Sequence, residues 1–246
     1  MSAGERRAFL TAEWRYLVML NYDVDPAILH ALVPRHTELD LWNGRAIASV
    51  VGFRFLRTKL LGVPVPLHRN FEEVNLRFYV RHRTADGAIR RGVVFVRELV
   101  PRLAIALTAR AVYNEPYLAV RMRSSAPAKP VEAPGPVSYE WMTGRRWQHV
   151  SAVTNGEASL APIGSEETFI TEHFWGYTRQ RDGGTVEYEV KHPRWRVWAA
   201  TAASLDADVP RLYGSSFARA LAAEPASAFI AEGSEVSVFR PRLLPG

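Results

Sequence analysis

Residues 72–82 alternate between polar and apolar side chains, and this period of two is the feature that most restricts the fold. The apolar side chains share one face: Val74, Leu76, Phe78 and Val80. The polar side chains share the other face: Glu73, Asn75, Arg77, Tyr79 and Arg81. Successive side chains of a strand point to opposite faces, so the segment predicts a β-strand. On pattern alone, a polar face of this length favours a strand whose polar side meets solvent.

Other segments also carry strand patterns: residues 46–55, 92–99 and 185–192. Asp86-Gly87 predicts the turn between residues 72–82 and the strand at 92–99. Asp182-Gly183-Gly184 predicts a second hairpin that leads into the strand at 185–192. We interpret Ala228–Arg240 as a last pair of strands that turn at Gly233.

Helical signals are fewer than strand signals. Asp25 as N-cap with Pro26 in the first turn predicts a short helix. Further helices are predicted at residues 102–113, from the cap Ser165 through residues 166–179, and from about Ser215. The sequence thus predicts many strands and about four helices, and the two do not alternate regularly along the chain. This order predicts an α+β fold with a mainly antiparallel sheet and argues against a doubly wound parallel sheet.

The length and composition are those of one globular domain. The chain has 246 residues, of which 48% are hydrophobic and 23% charged, so it is long enough to bury a substantial core as one unit, 1–246. We interpret residues 1–13 as an N-terminal extension and the Pro-, Ala- and Ser-rich residues 124–136 as a surface loop. The chain has no cysteine, which excludes disulfides, thiolate nucleophiles and cysteine-based metal sites.

The net charge of +6 would suit a polyanionic partner, but its distribution does not. The arginines are scattered and no nucleic-acid-binding motif occurs, so we expect no nucleic-acid partner. No segment approaches the roughly 20 apolar residues that span a bilayer, and the first residues lack the apolar core of a signal peptide. We therefore expect a cytoplasmic protein without a membrane partner. The oligomeric state stays open, and a homo-oligomer is compatible with the sequence.

Sequence-local motifs for nucleotide binding, phosphate binding and a nucleophile elbow do not occur. The seven histidines never form His-x-His or His-Glu-x-x-His, so we expect no metal and no cofactor. A metal site assembled from distant histidines is left open by this pattern. His173 follows Glu172 on a predicted helix, and we interpret it as structural.

Segments from about Trp14 to Arg240 carry a resemblance to a known family. They are residues 13–55, 71–82, 109–122, 169–179 and 189–195. Together they resemble the bacterial YqjF-like family, a domain of unknown function that is related to acetoacetate decarboxylase. The resemblance implies an acetoacetate decarboxylase-like β-barrel with a few peripheral helices and an internal cavity.

The link to the decarboxylases rests on residues 109–118. The decarboxylase signature reads approximately G-R-E-x-W-G-x-P-K-K, and three positions fit it: Arg110, Tyr113 and Pro116. The positions of the two lysines hold Tyr117 and Leu118, while Glu73 is placed at the family's strand glutamate. In that family the first lysine forms a Schiff base with a keto acid, which a phenol cannot do. The resemblance therefore implies a scaffold without acetoacetate decarboxylation.

Lys191 is the one lysine outside loop-like sequence. It shares a strand face with Thr185, Glu187 and Glu189, and we interpret this face as solvated. Neighbouring carboxylates favour the charged form of a lysine, which disfavours formation of an imine. We therefore expect no Schiff base at Lys191.

The resemblance implies that the polar face of residues 72–82 points into the cavity and not to solvent. The candidate ligand-binding residues are Glu73, Asn75, Arg77, Tyr79, Arg110 and Tyr117. Arginine in a partly desolvated pocket favours a carboxylate or phosphate, so the predicted ligand is a small anionic organic molecule. Glu73 and His192 are the candidates for acid/base catalysis. For Arg110 and His192 a purely structural role stays open as well.

Three functions are compatible with these patterns. The first is an enzyme that uses acid/base chemistry on an anionic organic substrate. The second is a non-catalytic binding module or sensor, and the third is an interaction module whose cavity is filled by its own side chains. A polar cavity larger than about 300 Å³ that contains Glu73 and Arg77 would favour the first two.

Overall fold

Strands dominate the part of the chain that the computed structural model describes, namely residues 6–65, 68–101, 114, 116–127, 129, 131–132 and 134–245. In chain order the strands are β1 (Leu10–Asp23), β2 (Glu38–Leu39), β3 (Ile47–Leu60), β4 (Val63–Pro64), β5 (Phe71–Arg83), β6 (Ile89–Val100), β7 (Tyr117–Ala119), β8 (Met122–Ser124), β9 (Pro136–Thr143), β10 (Arg146–Thr154), β11 (Ser159–Leu160), β12 (Trp175–Arg179), β13 (Thr185–Lys191), β14 (Arg196–Asp206), β15 (Ser227–Val238) and β16 (Arg242–Leu243). The helices are α1 (Pro26–His30), α2 (Glu166–Thr171), α3 (Val209–Tyr213) and α4 (Ala218–Leu221), with a 3-10 turn at Ser215–Phe217.

Seven strands pair in the order β13, β12, β6, β5, β3, β1 and β15, and β15 pairs again with β13, so that they form a closed ring. The pairs are antiparallel except for β6 with β12, which run parallel. Two ladders of the ring are short. β12 meets β6 only at Trp175–Gly92 and Gly176–Val93, and β13 meets β15 only at Val190–Val238 and Lys191–Ser237. Ring closure leaves the paired strands without a free edge at these positions.

A second layer of strands covers one side of the ring. β14 pairs with β15 and also with β10, from which β9 and β8 continue. Side chains of this layer, such as Tyr139 and Trp141, join Val74, Leu76 and Phe78 of β5 in one buried cluster. The apolar face of β5 is therefore covered by the second layer.

The polar face of β5 points into the ring. The expectation that this face meets solvent is wrong for Glu73, Asn75 and Tyr79, which are 2%, 1% and 2% exposed. Arg81, at the end of the same face, is exposed and pairs with Glu38 at 2.8 Å. The reason is that an antiparallel strand between two layers has no solvent side, so polarity alone does not show which face turns outward.

β15 is a single bent strand, so the predicted turn at Gly233 is wrong. Gly233 has a φ of +78°, and a Cβ built there would lie 2.0 Å from the carbonyl oxygen of Trp14. On the neighbouring β1, Tyr16 has a φ of 53° and the register with β3 shifts between Arg15 and Val18. The bend thus needs both a left-handed backbone and the absence of a side chain, which glycine alone supplies.

The other predicted strands are confirmed. Residues 46–55, 72–82 and 92–99 lie almost wholly in β3, β5 and β6, and the hairpin of β12 and β13 turns at residues 180–184. Asp25 caps α1, since its side chain accepts a hydrogen bond from the backbone N–H of Ala27. The helix predicted at 102–113 lies outside the described residues.

Two predictions about the C-terminal half need correction. The helix capped by Ser165 ends at Thr171 instead of continuing through residue 179, because residues 175–179 pair with β13 and β6. The strand face of Lys191 is not solvated along its length, because Thr185 is 1% and Glu187 0% exposed. Glu187 lies between Arg90 and Arg242, and both guanidinium groups form ion pairs with it.

The segment predicted as a surface loop is hydrogen-bonded at its described residues to the ring and to the second layer. The Tyr16 hydroxyl donates to the carbonyl oxygen of Lys129 at 2.7 Å and accepts from the N–H of Val131 at 2.9 Å. Trp198 Nε1 donates to the carbonyl oxygen of Glu132 at 3.0 Å. β1 begins at Leu10, so its first residues fall in the segment interpreted as an extension. None of the described helices has the length and apolar character that crossing a membrane requires.

Candidate functional site

The interior of the ring holds a cavity of about 330 Å³, and all seven ring strands contribute to its wall. α2 lies at one end, where Ile170 and Thr171 reach the cavity. Much of the wall is aromatic, with Trp14, Phe53, Phe55, Phe71 and Trp195. Polar side chains interrupt it at several positions, among them Glu73, Asn75, Arg77, Glu98, Tyr117 and His192. Small-molecule sites combine such an apolar lining with a few polar groups.

Glu73 is the buried carboxyl group of the cavity. Its Oε1 accepts a hydrogen bond from Asn75 Nδ2 at 3.0 Å, and its Oε2 accepts one from the Tyr117 hydroxyl at 3.5 Å. Burial raises the pKa of Glu73 to about 7, although Asn75, Tyr117 and the charge of Arg77 act in the opposite direction. Desolvation disfavours the ionised carboxylate, so near neutral pH this group exists in both protonation states.

Tyr117 lies on β7, which runs parallel to β6 and pairs Tyr117 with Glu98. Burial, together with the nearby carboxylates of Glu73 and Glu98, raises the pKa of the Tyr117 phenol well above its ordinary value. The phenol therefore stays protonated and donates to Glu73. Leu118, the next residue of the strand, is 38% exposed, as the alternation of a strand requires.

Arg77 brings a cation to the cavity. None of the ion pairs among the described residues includes Arg77, whereas Arg15, Arg90, Arg91 and Arg194 each form one. Its Nη2 donates to the carbonyl oxygen of Ile170 at 3.4 Å, and its Nε is buried without a hydrogen-bond partner. A buried donor that lacks a partner costs free energy, which a bound acceptor would recover.

Three of the cavity-lining residues also carry a buried polar atom without a hydrogen-bond partner among the described residues. These atoms are Trp14 Nε1, Thr58 Oγ1 and Asn75 Oδ1. Most buried polar atoms in folded proteins have a partner, so a group of partnerless atoms around one cavity needs an explanation. A polar ligand would supply one.

His192 follows β13 and lines the cavity next to Trp195. Its ring stacks on Trp195 with 3.9 Å between the centroids, and its Nδ1 lies 2.8 Å from the carbonyl oxygen of Pro193. Burial lowers the pKa of His192 to about 4, with the nearby charge of Arg77 acting in the same direction. Since a carbonyl oxygen only accepts, the neutral ring carries its proton on Nδ1 and leaves Nε2 as an acceptor.

A model of DUF2071, described as an uncharacterized conserved protein, matches residues 11–235. The chain belongs to the DUF2071 family. The uncharacterized protein YqjF of Bacillus subtilis (strain 168) is 36% identical over 112 residues. That match covers 45% of this chain and 44% of YqjF, so it spans less than half of that relative.

Three solved structures resemble this DUF2071 chain along nearly its whole length. The enduracididine biosynthesis enzyme MppR, complexed with pyruvate, is 14% identical with a TM-score of 0.67, over 99% of this chain and 93% of that one. Acetoacetate decarboxylase from Legionella pneumophila is 11% identical with a TM-score of 0.65, over 96% and 87%. An acetoacetate decarboxylase-like enzyme from Sphingomonas wittichii RW1 is 15% identical with a TM-score of 0.67, over 96% and 93%. The predicted α+β, mainly antiparallel, acetoacetate decarboxylase-like fold is thereby confirmed.

The structure brings most of the predicted site residues of the DUF2071 chain together. Five of them line the same cavity: Glu73, Asn75, Arg77, Tyr117 and His192. Tyr79 lies beyond the cavity lining, where its hydroxyl is 2.7 Å from Ser49 Oγ and its ring packs on Phe169 and His173. Arg110 lies outside the described residues.

His173 lines the cavity next to Thr171 and is also held by contacts within the fold. It is buried, with Nδ1 2.6 Å from the carbonyl oxygen of Phe169 and Nε2 3.1 Å from Asp40 Oδ2. Asp40 also forms an ion pair with Arg91 at 2.6 Å. Among the residues with a described placement, no three His, Asp or Glu side chains are arranged to hold a metal ion.

Sequence reasoning missed Glu98 as a cavity residue because β6 contains a bulge. The register with β5 shifts between Leu76 and Arg77, which pair with Arg97 and Phe95 and leave Val96 as the extra residue. An extra residue exchanges the two faces of the strand beyond it. Val93 and Phe95 line the cavity before the bulge, and Glu98 lines it afterwards. Strict alternation would have placed Arg97 there instead.

Proposed function

We propose that this DUF2071 protein binds a small anionic organic molecule in the cavity of the ring, with the anionic group of the ligand on Arg77. The observation that carries this proposal is that the guanidinium group of Arg77 lies at the cavity and takes part in none of the ion pairs among the described residues. A guanidinium group binds a carboxylate through two parallel hydrogen bonds. Asn75, next on the same face, also lines the cavity and has a buried side-chain oxygen without a hydrogen-bond partner.

The proposed chemistry is proton transfer at Glu73 on a carboxylate-bearing substrate. A buried carboxyl group whose pKa is raised to about 7 both gives and takes a proton near neutral pH. Its protonated form also avoids repelling an anion that binds nearby. His192, neutral and with Nε2 as an acceptor, is the second acid/base candidate.

A non-catalytic binding module or sensor is the second candidate function. It uses the same cavity and Arg77 but requires no proton transfer at Glu73. It is supported by Tyr117, a protonated phenol at the position that the resemblance matches with the reactive lysine of the decarboxylases. The expected cytoplasmic location, the absence of a nucleic-acid partner and the open oligomeric state stay predictions.

Arg77→Leu is expected to weaken the binding of carboxylates about tenfold to a hundredfold, because a hydrogen-bonded charged contact contributes about 1.5–3 kcal/mol. A thermal-shift screen against carboxylates, keto acids and phosphates identifies ligands, and calorimetric titration then gives their dissociation constants. A ligand at 100 times its dissociation constant stabilises the fold by about 2.7 kcal/mol, which such a screen detects.

Arg81→Leu is the matched control for this experiment. Arg81 lies on the same strand face, but it is exposed and paired with Glu38 outside the cavity lining. We expect it to leave binding unchanged, and Arg77→Lys to retain part of the affinity. Equal losses in both leucine variants, with both folded by circular dichroism, would refute the role of Arg77.

We expect no CO₂ release from acetoacetate and no adduct that borohydride traps with a panel of keto acids. The resemblance matches Tyr117 with the reactive lysine, and the Lys191 side chain is 64% exposed and lies 3.5 Å from Glu189. Solvent and a carboxylate both favour the charged ammonium group over the neutral amine that attacks a carbonyl. Turnover above that of a heat-inactivated sample would contradict this prediction.

A further inference from the structure

We propose that the ligand of this cavity is an organic acid with an extended hydrophobic body, rather than a short keto acid. The inference rests on the proposed function, because it assigns the anionic group of the same ligand to Arg77. It adds the chemical class of the rest of the molecule. The observations that carry it are the length of the cavity and the aromatic character of the wall that adjoins the polar residues.

The cavity extends well beyond the polar group of side chains. Along β5 its lining runs from Arg77 through Glu73 to Phe71. The six residue-to-residue steps from Arg77 to Phe71 span about 20 Å of strand, so a molecule that contacts Arg77 has a long path before it in the direction of Phe71. An acid the size of pyruvate or acetoacetate would occupy only the first part of this path.

The wall beside the polar residues, on β3 and β1, is a continuous aromatic surface. The Trp14 ring meets Phe53 edge-on at 5.3 Å and Phe55 at 5.8 Å, and Trp195 lies 6.3 Å away. Phe55 stacks on Phe71 at 4.5 Å, which continues the surface along the cavity. These rings hold one another in place, so the wall is formed before a ligand enters.

An apolar wall of this kind increases the affinity for a ligand in proportion to the apolar surface that the ligand buries against it. Each methylene group that leaves water contributes about 0.8 kcal/mol, which corresponds to about a fourfold gain in affinity. A short acid leaves the rings without a contact, whereas an extended body covers them. Because the guanidinium and the rings lie at different places along the cavity, one amphipathic acid contacts both.

The test is a series of saturated straight-chain carboxylates from butyrate to dodecanoate, with pyruvate and acetoacetate as short acids, titrated into the full chain below their micellar concentrations. We expect affinity to rise about fourfold per methylene until the cavity is filled. Affinity that does not change with chain length, or tighter binding of the short keto acids, would overturn the inference while leaving an Arg77-dependent anion site intact.

Alcohols of matching length separate the two proposals. If dodecanol binds as tightly as dodecanoate and Arg77→Leu changes neither, the anion site of the proposed function fails and the hydrophobic wall stands. If the carboxylates bind more tightly than the alcohols and gain affinity with length, both stand. If neither the carboxylates nor the alcohols bind, the anion site and the hydrophobic wall are both refuted.

Phe55→Ala tests the wall directly. It is expected to weaken dodecanoate about tenfold and to leave butyrate unchanged, a difference that a general disturbance of the fold would not produce. Val63→Ala, at a residue that is 66% exposed on β4, is the matched control and should change neither affinity. An equal loss for both acids in Phe55→Ala would contradict the assignment, and the chain-length series on the unsubstituted protein decides the matter if that variant does not fold.

Discussion

Gly233→Ala is expected to lower the free energy of unfolding by about 4 kcal/mol or more, or to prevent folding. The new Cβ would lie 2.0 Å from the carbonyl oxygen of Trp14, 2.7 Å from its carbonyl carbon and 2.9 Å from a methyl group of Leu17. The first two atoms belong to the backbone of β1, so no side-chain rotation relieves the clash. The left-handed φ of +78° adds a further cost for any residue other than glycine. Urea unfolding followed by circular dichroism measures the effect.

Gly87→Ala is the matched control for this substitution. Gly87 has a similar φ of +84°, but a Cβ there meets no atom within 4 Å. The control therefore carries only the conformational cost, about 1–2 kcal/mol. If the two variants lose the same stability, the close approach between β1 and β15 is not what requires glycine at Gly233.

Glu73→Gln is expected to remove a loss of stability that the unsubstituted protein undergoes as the pH rises. The pKa of Glu73 is raised from 4.5 to about 7 by burial, so the folded state binds the proton more tightly than the unfolded state does. Stability from this group is complete below the unfolded pKa of 4.5 and falls as the pH rises through the folded pKa of about 7. The loss amounts to about 3 kcal/mol once the carboxylate is fully ionised.

The measurement is urea unfolding of both proteins at pH 5 and pH 8.5. The glutamine side chain keeps an oxygen for Asn75, so the two proteins should be similar at pH 5, and the variant should be more stable at pH 8.5. Glu38→Gln is the control, because Glu38 is an exposed carboxylate in a surface ion pair. Equal pH dependence in the protein with Glu73 and in the glutamine variant would rule out a raised pKa at this site.

The candidate site shows which features of a strand its sequence pattern predicts and which it does not. The alternation of residues 72–82 predicted β5 and placed Glu73, Asn75 and Arg77 on one face, as observed. It could not decide which face turns inward, because that depends on side chains such as Tyr139 and Trp141 of β9, about 60 residues further along the chain. The period of a strand is a local property, but its orientation depends on partners that are distant in sequence.

Irregular backbone accounts for the other failures of prediction. The bulge at Val96 exchanges the two faces of β6, and the sequence of residues 92–99 contains no signal that predicts it. Gly233 was misread for a related reason. Glycine occurs both where a chain turns and where two strands approach closely, and the sequence does not distinguish the two cases. The resemblance to the decarboxylases recovered what local patterns missed, since it placed Tyr117 beside Glu73, where their side chains are 3.5 Å apart.

The two short ladders of the ring have a consequence for how a molecule enters it. The hairpin of β12 and β13 is held to β6 by two residue pairs and to β15 by two more. Contacts outside these ladders also hold it: β13 pairs with β16, and Glu187 forms ion pairs with Arg90 and Arg242. The hairpin is nevertheless joined to its two ring neighbours by fewer residue pairs than β1, β3 and β5 are to theirs, so we expect the ring to open for a ligand at this hairpin first.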